Sequence, residues 1–84
     1  MTKMYNVNID TAGFDQQEAK DWANEIANVY ADMEIEDVNV SGSNISFKAG
    51  LAGMDDTEAG DIRMKVEEYS SMNEAFEIKN LSVN

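Results

Sequence analysis

Eighty-four residues carry 17 acidic and 6 basic side chains, a net charge of −11, and no cysteine, histidine or proline. That composition excludes disulfides, thiol nucleophiles, thiolate or imidazole metal sites and the side chain most used as a general base near neutral pH. A single domain of this size buries only about 60 to 65% of its unfolded surface, too little for a deep, water-free catalytic pocket, and its charge repels nucleic acid and anionic membranes while attracting basic partners.

The first segment, "MTKMYNVNID", alternates Tyr5, Val7 and Ile9 against Met4, Asn6, Asn8 and Asp10, the pattern of a half-buried strand and not of a signal peptide. No stretch approaches the roughly 20 apolar residues of a membrane span, so the expectation is a cytoplasmic protein. "TAG" breaks the strand. "FDQQEAKDWANEIANVYADM" then reads as a helix, with Asp15 as cap, Glu18 as its capping-box partner and Phe14 as a hydrophobic staple. Ala19, Trp22, Ala23, Ile26, Val29, Tyr30 and Met33 recur at helical spacing.

"EIEDVNV" predicts a second strand in which Val38 and Val40 face inward and Ile35 falls out of phase, which calls for a bulge or an entry loop near Asp37. "SGSN" is a turn, and "ISFKA" completes a hairpin through Ile45, Phe47 and Ala49. After the glycines of "GLAG", a second helix over about 57–71 buries Ala59, Ile62, Val66 and Tyr69. "AFEIKNLSV" places Phe76 and Ile78 in one phase and Leu81 and Val83 in the other, so the last strand is expected to bulge or fray near Asn80.

The order βαββαβ, with each helix serving as a crossover between parallel neighbours, predicts an α+β fold. It resembles the ferredoxin-like arrangement, a four-stranded antiparallel sheet with two helices on one face. That resemblance is one of fold pattern and assigns no site, because the fold carries many unrelated functions. Its RNA-recognition version stacks bases on aromatics of the open sheet face. Here the outward positions are Asn6, Asn8, Asn39, Ser46, Lys48, Glu77 and Lys79, so direct nucleic-acid binding is not expected.

"GLAGMDDTEAGD" lacks the Gly-Lys-Ser/Thr of a phosphate loop, and Asp55, Asp56, Glu58 and Asp61 cannot be aligned on a calcium loop. Their ordinary use is to cap the second helix and complement its dipole. No pair of carboxylates is placed in a cleft for acid and base work, so no enzyme activity and no cofactor are expected.

The charge on the first helix is more specific. Glu18, Asp21, Glu25 and Asp32 fall on one flank of the apolar stripe, a row about 21 Å long at 1.5 Å per residue. Such a row accepts like-charge repulsion where a solvated helix would intersperse lysines. Glu34, Glu36 and Asp37, with Asp55, Asp56 and Glu58, are candidates to extend its field. Asp61 and Glu68 would add a shorter row if both helices share a sheet face.

In size, acidity and lack of catalytic residues the chain is similar to small phage-encoded inhibitors of host nucleases and defence complexes, including anti-restriction and anti-CRISPR proteins. The likeness is one of class, covers no motif and carries no residues over. It implies a nucleic-acid mimic that occupies the basic surface of a nuclease or other nucleic-acid-binding complex. The expected contacts are Glu18, Asp21, Glu25 and Asp32, then Asp55, Asp56, Glu58 and Asp61. The competing expectation is an assembly or regulatory module that self-associates, for instance as a homodimer, through its sheet face or edge, with acidity serving solubility alone.

Overall fold

A computed structural model describes residues 3–13, 15–52, 57–72 and 77–84. The elements are β1 (Tyr5–Thr11), α1 (Gln16–Val29), β2 (Met33–Ser41), β3 (Asn44–Leu51), α2 (Ala59–Met72) and β4 (Ile78–Val83). This is the ferredoxin-like α+β order. The sheet runs β2-β3-β1-β4 with every neighbouring pair antiparallel. Each helix therefore joins strands that are parallel but not adjacent, α1 stepping over β3 and α2 over β1, which corrects the expected crossover between neighbours.

One apolar cluster joins the helices to the sheet. Val7, Ile9, Ile45, Phe47, Ala49 and Leu81 come from the strands, Ala19, Trp22, Ala23 and Ile26 from α1, and Ile62, Val66 and Tyr69 from α2. The other sheet face is polar: Asn6 pairs with Lys48, Asn8 with Ser46 and Ser82, and Asp10 with Asn44 and Asn80, and paired residues share a face.

Both expected bulges are present. The β2–β3 register shifts between Glu36 and Asn39, with Asp37 at φ 54, and this extra residue turns Val38 and Val40 to the side already held by Met33 and Ile35. The β1–β4 register shifts between Asp10 and Thr11, where Lys79 is the unmatched residue. Both sheet edges are thus interrupted, and such breaks guard an edge against pairing with another chain.

Asp15 caps α1 by accepting from the Gln17 and Glu18 amides at 3.0 and 3.3 Å. Replacing it by alanine is expected to cost about 1 kcal/mol, or about 4 to 8 °C of melting temperature, read by circular dichroism. An unchanged melting curve would show that the cap contributes nothing. Phe14 and Phe76 lie outside the described residues. The helix is shorter than expected. Tyr30 leaves helical geometry at φ −111, ψ 101, and Met33 already belongs to β2, its amide donating to the Tyr30 carbonyl at 3.0 Å. Val29 is 44% exposed and not part of the core. No helix among the described residues is long and apolar enough to cross a membrane.

Candidate partner-binding surface

Because β1 and β3 are antiparallel, the helices that leave them cross the sheet in opposite directions, and the end of α1 meets the start of α2. Aromatic side chains hold the two apart and together. The Trp22 and Tyr69 rings pack with centroids 5.0 Å apart at 57°, and the buried Tyr69 hydroxyl donates to the Trp22 carbonyl at 2.7 Å. At the end of α1, the Tyr30 hydroxyl donates to Glu68 Oε1 at 2.9 Å, and Lys65 Nζ stands 4.9 Å from the Tyr30 ring centroid.

A groove of about 330 Å³ is lined by Asp32 from the α1–β2 turn, Leu51 of β3, and Asp61, Met64, Lys65 and Glu68 of α2. Glu18, Asp21 and Glu25 are exposed on α1, on the flank that turns toward α2. Since α1 ends at Val29, its helical row runs only from Glu18 to Glu25, about 10 Å. Asp32 joins from the turn before β2 and enters the groove with Asp61 and Glu68 of α2. The structure thereby brings Asp32 together with the Asp61–Glu68 row at one groove, while Glu18, Asp21 and Glu25 stand outside its lining on the exposed face of α1.

Glu34, Glu36 and Asp37 separate from this surface. Glu34 and Glu36 pair with Gly50 and Lys48 on the open sheet face, away from the helices, and Asp37 at the bulge sits 3.5 Å from Lys48 Nζ. They do not extend the helical field. Asp61 also has a local task. Its Oδ2 accepts from the Glu58 amide at 2.9 Å while its own amide donates to the Glu58 carbonyl at 3.0 Å, closing the first turn of α2. Glu58 is exposed at that cap, and Asp55 and Asp56 lie outside the described residues.

Neutral groups hold the row in place. Gln17 donates to Asp21 at 3.0 Å, Asn28 to Glu25 at 3.2 Å and Tyr30 to Glu68. The ion pairs among the described residues are Lys48–Asp37 and Arg63–Glu67, and neither includes a groove or stripe carboxylate. No three carboxylates among the described residues converge as a metal cage would require. The geometry is that of an extended negative surface.

Its field reaches the aromatic seam. Burial first, then the charge of Glu25 and the neighbouring Tyr30, push the Tyr69 phenol up to about 12. Burial and then the hydrogen bond and charge of Glu68 raise Tyr30 as well. A phenol whose pKa is raised on folding stabilises the fold fully below the unfolded value near 10, and that contribution is lost as pH climbs from about 10 towards 12. Ultraviolet titration with parallel circular dichroism is expected to show the Tyr69 phenolate forming only as helical signal disappears. Ionisation of all three tyrosines near pH 10 with the fold intact would contradict this.

Sequence reasoning did not find Met64, Lys65 or Leu51 as groove residues. The available signal was weak: Asp61, Met64, Lys65, Glu68 and Met72 share one flank of α2, but methionine at such positions reads equally well as core. Comparison with protein-family models, curated proteins and solved structures finds no match.

Proposed function

We propose that this protein binds the basic, nucleic-acid-contacting surface of a partner protein and competes with nucleic acid for it, as a mimic-type inhibitor of the anti-restriction or anti-CRISPR kind. The observation that carries this reading is the convergence of Asp32, Asp61 and Glu68 at one groove, beside the exposed Glu18, Asp21 and Glu25 of α1, with none of these carboxylates ion-paired among the described residues. Like charges kept together cost stability on an isolated domain and are repaid when a cationic surface arrives. The protein does no chemistry in this reading. It supplies carboxylates on a rigid two-helix frame where a nucleic acid would supply phosphates, and it needs no cofactor.

Self-association has less to work with. The open sheet face presents asparagine, serine and charged side chains, both edges are bulged, and two copies at −11 repel. The test is retention of a basic protein from the native cell on the immobilised chain, followed by elution with salt and with duplex DNA. Release by both supports the reading. Retention that neither salt nor DNA disturbs opposes it.

A further inference from the structure

We propose that the groove formed by the α1–β2 turn, the end of β3 and α2 docks a cationic amphipathic helix of the partner, its apolar side chains seated on Leu51, Met64 and Met72 and its lysines or arginines on Asp32, Asp61 and Glu68. This rests on the reading above and adds the shape of the contact. The large hydrophobic side chains exposed among the described residues are Val29, Met64 and Met72, and all three belong to the helices. Met64 is 69% exposed and lines the groove, whose wall includes the buried Leu51. Met72, 59% exposed, lies eight residues further along α2 and on the same flank as Lys65 and Glu68.

Eight residues of helix rise about 12 Å, so two apolar anchors seven or eight positions apart on one face of a docking helix match the methionines. Methionine suits such a role because its unbranched, polarisable chain reshapes around a guest. Charge selects the occupant. The groove's lining carries Asp32, Asp61 and Glu68 against the single ammonium of Lys65, which is drawn over the Tyr30 ring. A cationic guest is attracted, and a second copy of this chain at −11 is not. Strand addition is the alternative mode for a peptide, and the bulges in β2 and β4 obstruct it.

The test uses two synthetic leucine–lysine peptides of one composition and about 18 residues, roughly five helical turns. In one, the leucines line a single helical face. In the other, they are scattered. Calorimetry at low and moderate salt is expected to show the full-length protein binding the amphipathic peptide at least about tenfold tighter than the scattered one, the share of one buried methionine-sized contact. The double variant Met64→Ser, Met72→Ser, which leaves net charge unchanged, is expected to erase that preference while keeping the fold. Equal binding of both peptides by wild type overturns the groove proposal and leaves charge-based partner binding standing. A preference that survives in the double variant overturns it too. No binding of either peptide at low salt overturns both.

Discussion

Replacing Glu18, Asp21, Glu25 and Asp32 together by lysine is expected to abolish retention of the basic partner and to do so without unfolding the protein. Each reversal adds two charges, so net charge moves from −11 to −3 (−11 + 8). The four side chains are exposed, and the hydrogen bonds that the change removes, Gln17 to Asp21 and Asn28 to Glu25, lie on the surface. The helix loses at most about 1 kcal/mol, from placing a cation at Glu18 in its first turn. Binding loses far more, because a row that attracted a cationic surface now repels it, and steered association alone falls by about 10- to 1,000-fold when such a field is removed. The neutral set Glu18→Gln, Asp21→Asn, Glu25→Gln and Asp32→Asn, at −7 (−11 + 4), is expected to fall between wild type and the lysine variant.

The salt dependence separates charge from other causes. Raising ionic strength from about 0.15 M to 1 M shortens the Debye length from about 8 to about 3 Å, so wild-type retention should weaken steeply and residual retention of the lysine variant should not. A folded lysine variant that retains the partner as well as wild type would sink the proposed surface. If the neutral set binds as weakly as the lysine set, lost attraction and not new repulsion is the larger effect. Asp61 is left out of the series because its carboxylate closes the first turn of α2, and its removal would mix a stability change with a binding change.

Phase carried most of the fold into the sequence. The mismatch of Ile35 with Val38 and Val40, and of Ile78 with Leu81 and Val83, marked the bulges at Asp37 and Lys79 because side-chain alternation has a period of two and only an extra residue can reset it. Asp15 announced the start of α1 through the chemistry of an N-cap. The end of α1 was not legible. Tyr30 and Met33 continue the helical spacing, no glycine or proline interrupts them, and Met33 keeps phase with Ile35 in the strand that follows, so the same residues satisfy both periods.

The groove was half legible. The acidic flank of each helix follows from 100° per residue, whereas the meeting of Asp32 with Asp61 and Glu68 depends on where the turn after α1 and the start of α2 sit on the sheet, a property of the crossovers and the sheet order. Glu34 and Glu36 show the reverse error. Close in sequence to Asp32, they alternate onto the other side of the sheet, because strand geometry overrides proximity along the chain. Nor could spacing reveal that Met64 and Met72 are exposed while Ile62, Val66 and Tyr69 are buried, since methionine fits either environment.

Trp22→Ala is expected to be the most damaging single substitution to stability, and it tests whether the groove needs the Trp22–Tyr69 contact that joins the two helices. Trp22 is the largest side chain of α1, only 7% exposed, and its ring contacts Tyr69 across the seam between the helices. Removing a buried aromatic costs about 3 to 5 kcal/mol, against about 4 to 13 kcal/mol for a whole domain of this length. At roughly 4 to 8 °C per kcal/mol, the melting temperature should fall by at least about 12 °C, and a large fraction of the protein should be unfolded near physiological temperature. Trp22→Phe keeps a ring against Tyr69 and is expected to recover more than half of that loss. Neither change alters the net charge. If partner binding required only summed negative charge, Trp22→Phe and any folded fraction of Trp22→Ala would bind alike at low temperature. A frame that must hold Asp32, Asp61 and Glu68 at one groove predicts instead that Trp22→Ala binds at least about tenfold more weakly per folded molecule, about 1.4 kcal/mol, while Trp22→Phe stays near wild type. Equal affinity for the folded fractions would leave the charge and dismiss the frame.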